Sequence, residues 1–414
     1  MKLLKIRIDN LPFFEVGTEI DFLAEGRVNE GEKHELIHLF KSFYLNRTLT
    51  FTGLNAAGKT QILNVLSFVM NLIQAKPINS HDFKFLSDRS NSLNLGINQK
   101  GKLTIYFYSS VENKESINKL EIEIIRKKDS SDDSYKYFIE NEKLFRKNTA
   151  GIRSKKDIYV FDLKKNEKKI QVIDRESESF LALSSDVSLL NVFYNLKEYK
   201  KLYYRDMLAY TDFNMISGVG NIPTELIQFL DPSIELLKFK IVEKSGTKDL
   251  KVDIKFKGQE KPITLDSIND LNSMLSSGTI KGLGLFMNAI LTLQNGGVIL
   301  IDELENHFNR EIALTLIHLF TDRKINLEGA ILVYTTHYAE LLDTLDRNDS
   351  IYIVTKNGKI GLKKLSNELQ RKDIKRSEQF IKGILSHTAP KYDAEIKLKR
   401  VIKEEVKSKR ENRI

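Results

Sequence analysis

Eight consecutive residues, Gly53-Leu54-Asn55-Ala56-Ala57-Gly58-Lys59-Thr60, match the pattern G-x-x-x-x-G-K-[ST] in full. Small residues in such a loop let successive backbone N–H groups converge on phosphate oxygens. The lysine reaches the β and γ phosphates, and the neighbouring hydroxyl suits magnesium. Gly53, Asn55, Ala56, Ala57, Gly58, Lys59, Thr60 and Gln61 are therefore the candidate phosphate-binding residues, and Thr60 is also a candidate metal ligand.

Far downstream, the apolar run Val298-Ile299-Leu300-Ile301 ends in Asp302-Glu303. A continuous apolar run is the pattern of a strand buried on both faces, and carboxylates at its carboxyl end sit where open α/β sheets bind ligands. Asp302 is the candidate to hold magnesium, and Glu303 to orient or deprotonate an attacking water. Capping of the following helix falls more naturally to Asn306 or Asn309. A second buried run, Ile331-Leu332-Val333-Tyr334, leads into Thr335-Thr336-His337, which puts an imidazole where it could sense a terminal phosphate. In Leu275-Ser276-Ser277-Gly278-Thr279 the glycine stands 24 residues before Asp302 and opens a helical pattern over Ile280–Leu293. By itself that cluster reads as a helix cap.

The elements that must hold these residues are legible around them. Leu3–Arg7, Thr18–Phe22 and Thr48–Thr52 read as strands, the last running straight into the glycine loop. Ile62, Leu63, Val65, Leu66, Val69, Leu72 and Ile73 then recur at helical spacing. Lys102 to about Val172 is strand-rich, Asp186 to about Phe229 reads as helical, and LKFKIVEK with LKVDIKFKG reads as a hairpin leading back to the core.

The bulk properties set limits. At 414 residues, 41% hydrophobic and 29% charged, the chain has the length for two or three domains and an ordinary globular composition. No window approaches 18 uninterrupted apolar residues, and the amino-terminal apolar residues alternate with Lys5, Arg7 and Asp9, so neither a spanning helix nor a signal peptide is expected. With no cysteine there are no disulfides or thiolate metal sites, which fits a cytoplasmic setting. Of the net charge of +9, a net +5 comes from Lys397 to Arg413, where eight Lys or Arg face three Glu. Such a tail could contact nucleic acid or simply be a solvated helix.

His34-Glu35-Leu36-Ile37-His38 also satisfies H-E-x-x-H, the zinc-metalloprotease pattern. No third ligand stands out downstream, and a solvated helix is the expected reading. Gln99, just before the strand KLTIYFY, is a candidate glutamine to contact the site.

Taken together, GLNAAGKT, LSSGT, VILIDELENHF and LVYTTH resemble the ABC-type ATPases of the SMC and OLD-like branch. They resemble most the AAA family ATPases of anti-phage and abortive-infection systems. FLDPSIELLKFKI, NDSIYIVTK and FIKGILSHTAPKY fit the same group, and the resemblance runs from about residue 1 to 395. It implies an α/β P-loop NTPase fold with an ABC-type head, a β-rich N-terminal subdomain and a β/α insertion. The implied division is 1–100 and 236–395 for the two halves of the head, 101–235 for the insertion and 396–414 for a basic tail. ATP and Mg2+ are the implied cofactors. Ser276 and Gly278 would address the γ-phosphate bound by a second copy, making a homodimer or higher oligomer, although Thr279 and Ser277 stand where the family usually has glutamine and glycine. The OLD-type nuclease domain does not fit in the 77 residues after His337, so a nuclease or toxin effector would be a separate protein. The implied role is an ATP-driven defence switch. A DNA-repair or chromosome-maintenance clamp is the alternative, and a transporter subunit is disfavoured by the long β-rich insertion.

Overall fold

A computed structural model describes residues 1–26, 28–79, 92–112, 114–130, 133–166, 169–177, 180, 182–207, 222–244, 247–306, 309–369, 375–381 and 396–403. Alternating apolar and polar residues make β1 (Lys2–Asn10) and β2 (Thr18–Asp21) half-buried strands that pair antiparallel. A small hairpin, β3 (Leu36–Phe40) and β4 (Phe43–Asn46), leads to β5 (Thr48–Thr52), whose five residues are all buried. Helix α1 (Lys59–Ile73) follows the glycine loop. Long antiparallel strands come next: β6 (Lys100–Val111), β7 (Lys114–Lys128), β8 (Tyr135–Asn148) and the shorter β9 (Ile170–Asp174). They extend β1 and β2 into one six-stranded sheet of order β2-β1-β6-β7-β8-β9, so a single sheet runs across the position where the sequence suggested a boundary near residue 100.

The second six-stranded sheet carries the candidate site residues. Its strands are β10 (Tyr204–Asp206), β14 (Val298–Ile301), β15 (Ile331–Thr336), β5, β16 (Ile351–Asn357) and β17 (Lys359–Lys364), in that order. All pairs are parallel except β16 with β17. Strand β15 thus lies between the strand feeding the glycine loop and the strand ending in the acidic pair. The apolar runs follow from burial on both faces. Val298 and Leu300 join the core that holds α1 and the first sheet, while Ile299 and Ile301 join the core against α2 (Ser277–Asn295) and α3 (Arg310–Thr321). Asn309 caps α3 by accepting the Ile312 N–H at 3.0 Å. Strands β11 (Ile234–Lys244), β12 (Thr247–Phe256) and β13 (Ile263–Leu265) form a third sheet, whose apolar face packs on α2.

The stretch expected to be helical from Asp186 to Phe229 is different. It holds a short helix (Leu190–Asn195), strand β10 at the edge of the second sheet, and another short helix (Thr224–Leu230); residues 208–221 of it lie outside the described residues. A three-residue edge strand shows no usable periodicity, which is why the pattern concealed it. Of the basic tail only 396–403 is described, as exposed helix, and most of FIKGILSHTAPKY lies outside the described residues.

Candidate nucleotide site

The glycine loop takes its shape from two close approaches. A Cβ on Gly53 would lie 2.4 Å from the Val354 carbonyl oxygen of β16, and one on Gly58, at φ 103°, would lie 2.4 Å from Ile360 Cδ1 of β17. Only glycine satisfies both positions. The loop between them and the first turn of α1 border a cavity of about 630 Å³. Asn55, Ala56, Gly58, Lys59, Thr60, Gln61, Glu303, His337 and Lys356 line it. Gly53 and Ala57 form the loop backbone behind.

Lys59 is 6% exposed, and its Nζ donates to the carbonyls of Gly53 and Leu54, each at 3.0 Å. Burial holds its ammonium below the ordinary lysine range, against the pull of Glu303, Asp302 and Glu305. Thr60 Oγ1 donates to Asp302 Oδ2 at 2.7 Å, which joins the start of α1 to the end of β14. The other Asp302 oxygen accepts from Thr335 Oγ1 at 2.6 Å, and that hydroxyl in turn accepts the Glu303 N–H at 2.7 Å. Glu303 sits at φ 47°, a left-handed conformation that a non-glycine residue holds only when its surroundings impose it. Asn306 Nδ2 donates to Glu303 Oε2 at 3.1 Å. The His337 ring stands between the two charged groups, with Nδ1 3.4 Å from Lys59 Nζ and Nε2 3.5 Å from Glu303 Oε1.

The donors suit a phosphate chain with a hard dication. Gly53 and Gly58 leave no room for a side chain against β16 and β17, the amines of Lys59 and Lys356 line the cavity, and Thr60 with Asp302 offers oxygen ligands alone. A family model described as "AAA domain, putative AbiEii toxin, Type IV TA system" matches residues 49–343. The chain belongs to this AAA domain family. No curated protein matches it. The AAA domain so defined begins at β5 and ends just after His337, and it encloses every residue of the site except Lys356. Membership makes the chain a P-loop NTPase of mixed α/β build, a nucleotide-binding ATPase at the level of the family, whose members generally use ATP and Mg2+.

Two residues of the candidate site went unrecognised in the sequence. Thr335, fully buried, ties Asp302 to Glu303; the only signal was a hydroxyl between a buried strand and His337. Lys356, near the end of β16, gave none, because its position depends on β16 pairing beside β5. Ser276 and Gly278 do not line the cavity of their own chain. Ser276 caps α2, its Oγ accepting the Thr279 N–H at 3.0 Å. Gln99 is also away from the cavity, bound through Oε1 to the Gly96 N–H; from the same stretch, Asn94 instead reaches the site by donating to Gln61 Oε1 at 2.6 Å.

The H-E-x-x-H segment is not an α-helix. His34 and Glu35 end a 3-10 turn (Glu30–Glu35) and His38 lies on β3, so the two imidazoles do not share a helical face. Glu35 is buried, and its oxygens accept the N–H groups of Asp346 and Arg347 at 2.7 and 3.1 Å. Among the described residues no helix is long and apolar enough to cross a membrane.

Proposed function

We propose that the chain is an ABC-type ATPase whose working sites form between two copies, and that ATP-driven association switches a defence system acting through a separate effector. The observation that carries the catalytic half is the bonded array Thr60–Asp302–Thr335–Glu303, closed over by His337 and floored by Lys59. In this reading the glycine-loop N–H groups and Lys59 hold the β and γ phosphates of ATP. Thr60 and Asp302 hold magnesium, which when bound neutralises charge developing on the phosphate oxygens. Glu303 orients the attacking water, and His337 donates to the terminal phosphate.

The composite site is supported by position. Ser276 and Gly278 open a helix away from their own cavity, so they could reach a γ-phosphate only on a second copy. The defence setting rests on the family description, with its toxin and Type IV TA wording, together with the sequence resemblance. The net charge of +9 keeps a nucleic-acid clamp as the second reading; ATPase stimulation by DNA that fades with salt would favour it.

Mixing two defective chains tests the dimer. Lys59→Ala removes the phosphate lysine and Ser276→Arg blocks the signature, so each variant alone should be inactive. A mixed dimer has one site with both defects and one intact. With random exchange, recovery should approach about a quarter of wild-type turnover for independent sites. No recovery, together with a Glu303→Gln chain that stays monomeric in ATP, would leave Ser276 a helix cap and refute the composite site.

A further inference from the structure

Glu305, in the turn after β14, is 8% exposed. One of its carboxylate oxygens accepts the His337 backbone N–H. The other, Oε2, is buried and has no hydrogen-bond partner among the described residues. Asp302 and Glu303 already crowd negative charge into the same turn, and Lys59 is the cation whose charge all three feel. For the fold alone this is a poor place for a third carboxylate, since burying an incompletely bonded charge is unfavourable. The contact it makes is specific. Thr335 binds Asp302 and Glu303, whereas Glu305 grips the main chain of His337, whose ring spans the gap between Lys59 and Glu303.

We propose that Glu305 is the positioning residue for His337: by holding that N–H it fixes where the imidazole leaves the backbone and keeps the ring between the phosphate-loop lysine and the water-orienting carboxylate. Glu305 does not touch the reacting atoms. The inference rests on the ATPase reading above. A positioning role needs an acceptor and not a charge, so the two chemistries separate. A base must be a carboxylate; a clamp can be an amide oxygen, which accepts the same N–H.

Turnover and ATP affinity would be measured for wild type, Glu305→Gln, Glu305→Ala, His337→Ala and the Glu305→Ala/His337→Ala double variant. Glu305→Gln should stay within about threefold of wild type. Glu305→Ala should lose about 10- to 100-fold in kcat, which is about 1.4 to 2.8 kcal/mol, with ATP affinity kept within about threefold. The double variant should be no slower than His337→Ala alone, because the clamp acts only through that ring. Glu305→Gln as slow as Glu303→Gln, or fully additive losses in the double variant, would overturn the proposal. A readout free of turnover is the ring carbon resonance of His337 in histidine-labelled protein, assigned by its loss in His337→Ala. It should move in Glu305→Ala and stay in Glu305→Gln; an unmoved resonance in Glu305→Ala refutes the clamp. Wild type no faster than Lys59→Ala would instead sink the ATPase reading, and the resonance would still decide the position of the ring.

Discussion

Replacing Thr335 by valine removes one hydroxyl of nearly unchanged shape from a fully buried site, which makes it the sharpest probe of how the acidic turn is held. The hydroxyl donates to the Asp302 carboxylate at 2.6 Å and accepts the Glu303 N–H at 2.7 Å. A bond to a charged group contributes about 1.5–3 kcal/mol and a neutral one about 0.5–1.5, so the pair is worth about 2–4 kcal/mol. Asp302 keeps its bond to Thr60, so roughly half of that should reach the transition state. At 1.36 kcal/mol per tenfold, turnover should fall about 5- to 30-fold. The assay is steady-state ATP hydrolysis at saturating ATP across a magnesium titration. The half-saturating magnesium concentration should rise, because an Asp302 side chain held by Thr60 alone must be reordered before it can serve as a ligand. Thr335→Ser retains both bonds and should stay within about threefold of wild type. Turnover of Thr335→Val within twofold of wild type at every magnesium concentration would refute the idea that this hydroxyl organises the turn.

Glu303→Gln should retain ATP while slowing turnover at least about 100-fold, since Asp302 and Thr60 are untouched; single-turnover kinetics beside equilibrium ATP binding would show the split. A zinc-selective chelator in excess magnesium should leave ATP hydrolysis unchanged, because His34 ends a 3-10 turn and His38 lies on β3, so the two do not meet as a helical ligand pair; zinc bound stoichiometrically and lost in His38→Ala would contradict this. In the first sheet, Arg175 pairs at 3.1 Å with Glu142, which is fully buried and whose carboxyl is pushed up by that burial. Arg175→Met should therefore cost up to about 3–5 kcal/mol by leaving the buried carboxyl with only Ser188 Oγ and the Leu189 N–H as donors, seen as a lower melting temperature.

The glycine loop and the acidic pair were legible because each depends on local spacing. The glycine loop needs small residues at Gly53 and Gly58 whatever the rest of the chain does, and the acidic pair announces itself at the end of an apolar run. What stayed hidden depends on strand order. Thr335 and Lys356 join the site only because β15 lies beside β14 and β16 beside β5, and no run of residues states that order. Tyr204–Asp206 is too short for its alternation to show. The H-E-x-x-H segment misled in the opposite way, since its spacing is helical on paper while Glu35 is drawn inward by two backbone donors and His38 continues into a strand.

Thirteen of the 15 residues of α1 are buried, on one side by β5, β15 and β16 and on the other by the long strands of the first sheet, where Phe68 packs against Tyr137 of β8. The helix that begins at Lys59 therefore has no face of its own to show to water. The long-stranded sheet cannot be an accessory fastened onto a finished catalytic unit: excising it would bare side chains each worth about 1.5–3 kcal/mol in burial, more than a domain's usual margin of stability once several are counted. A substitution on the buried side of α1 is therefore felt by both sheets at once.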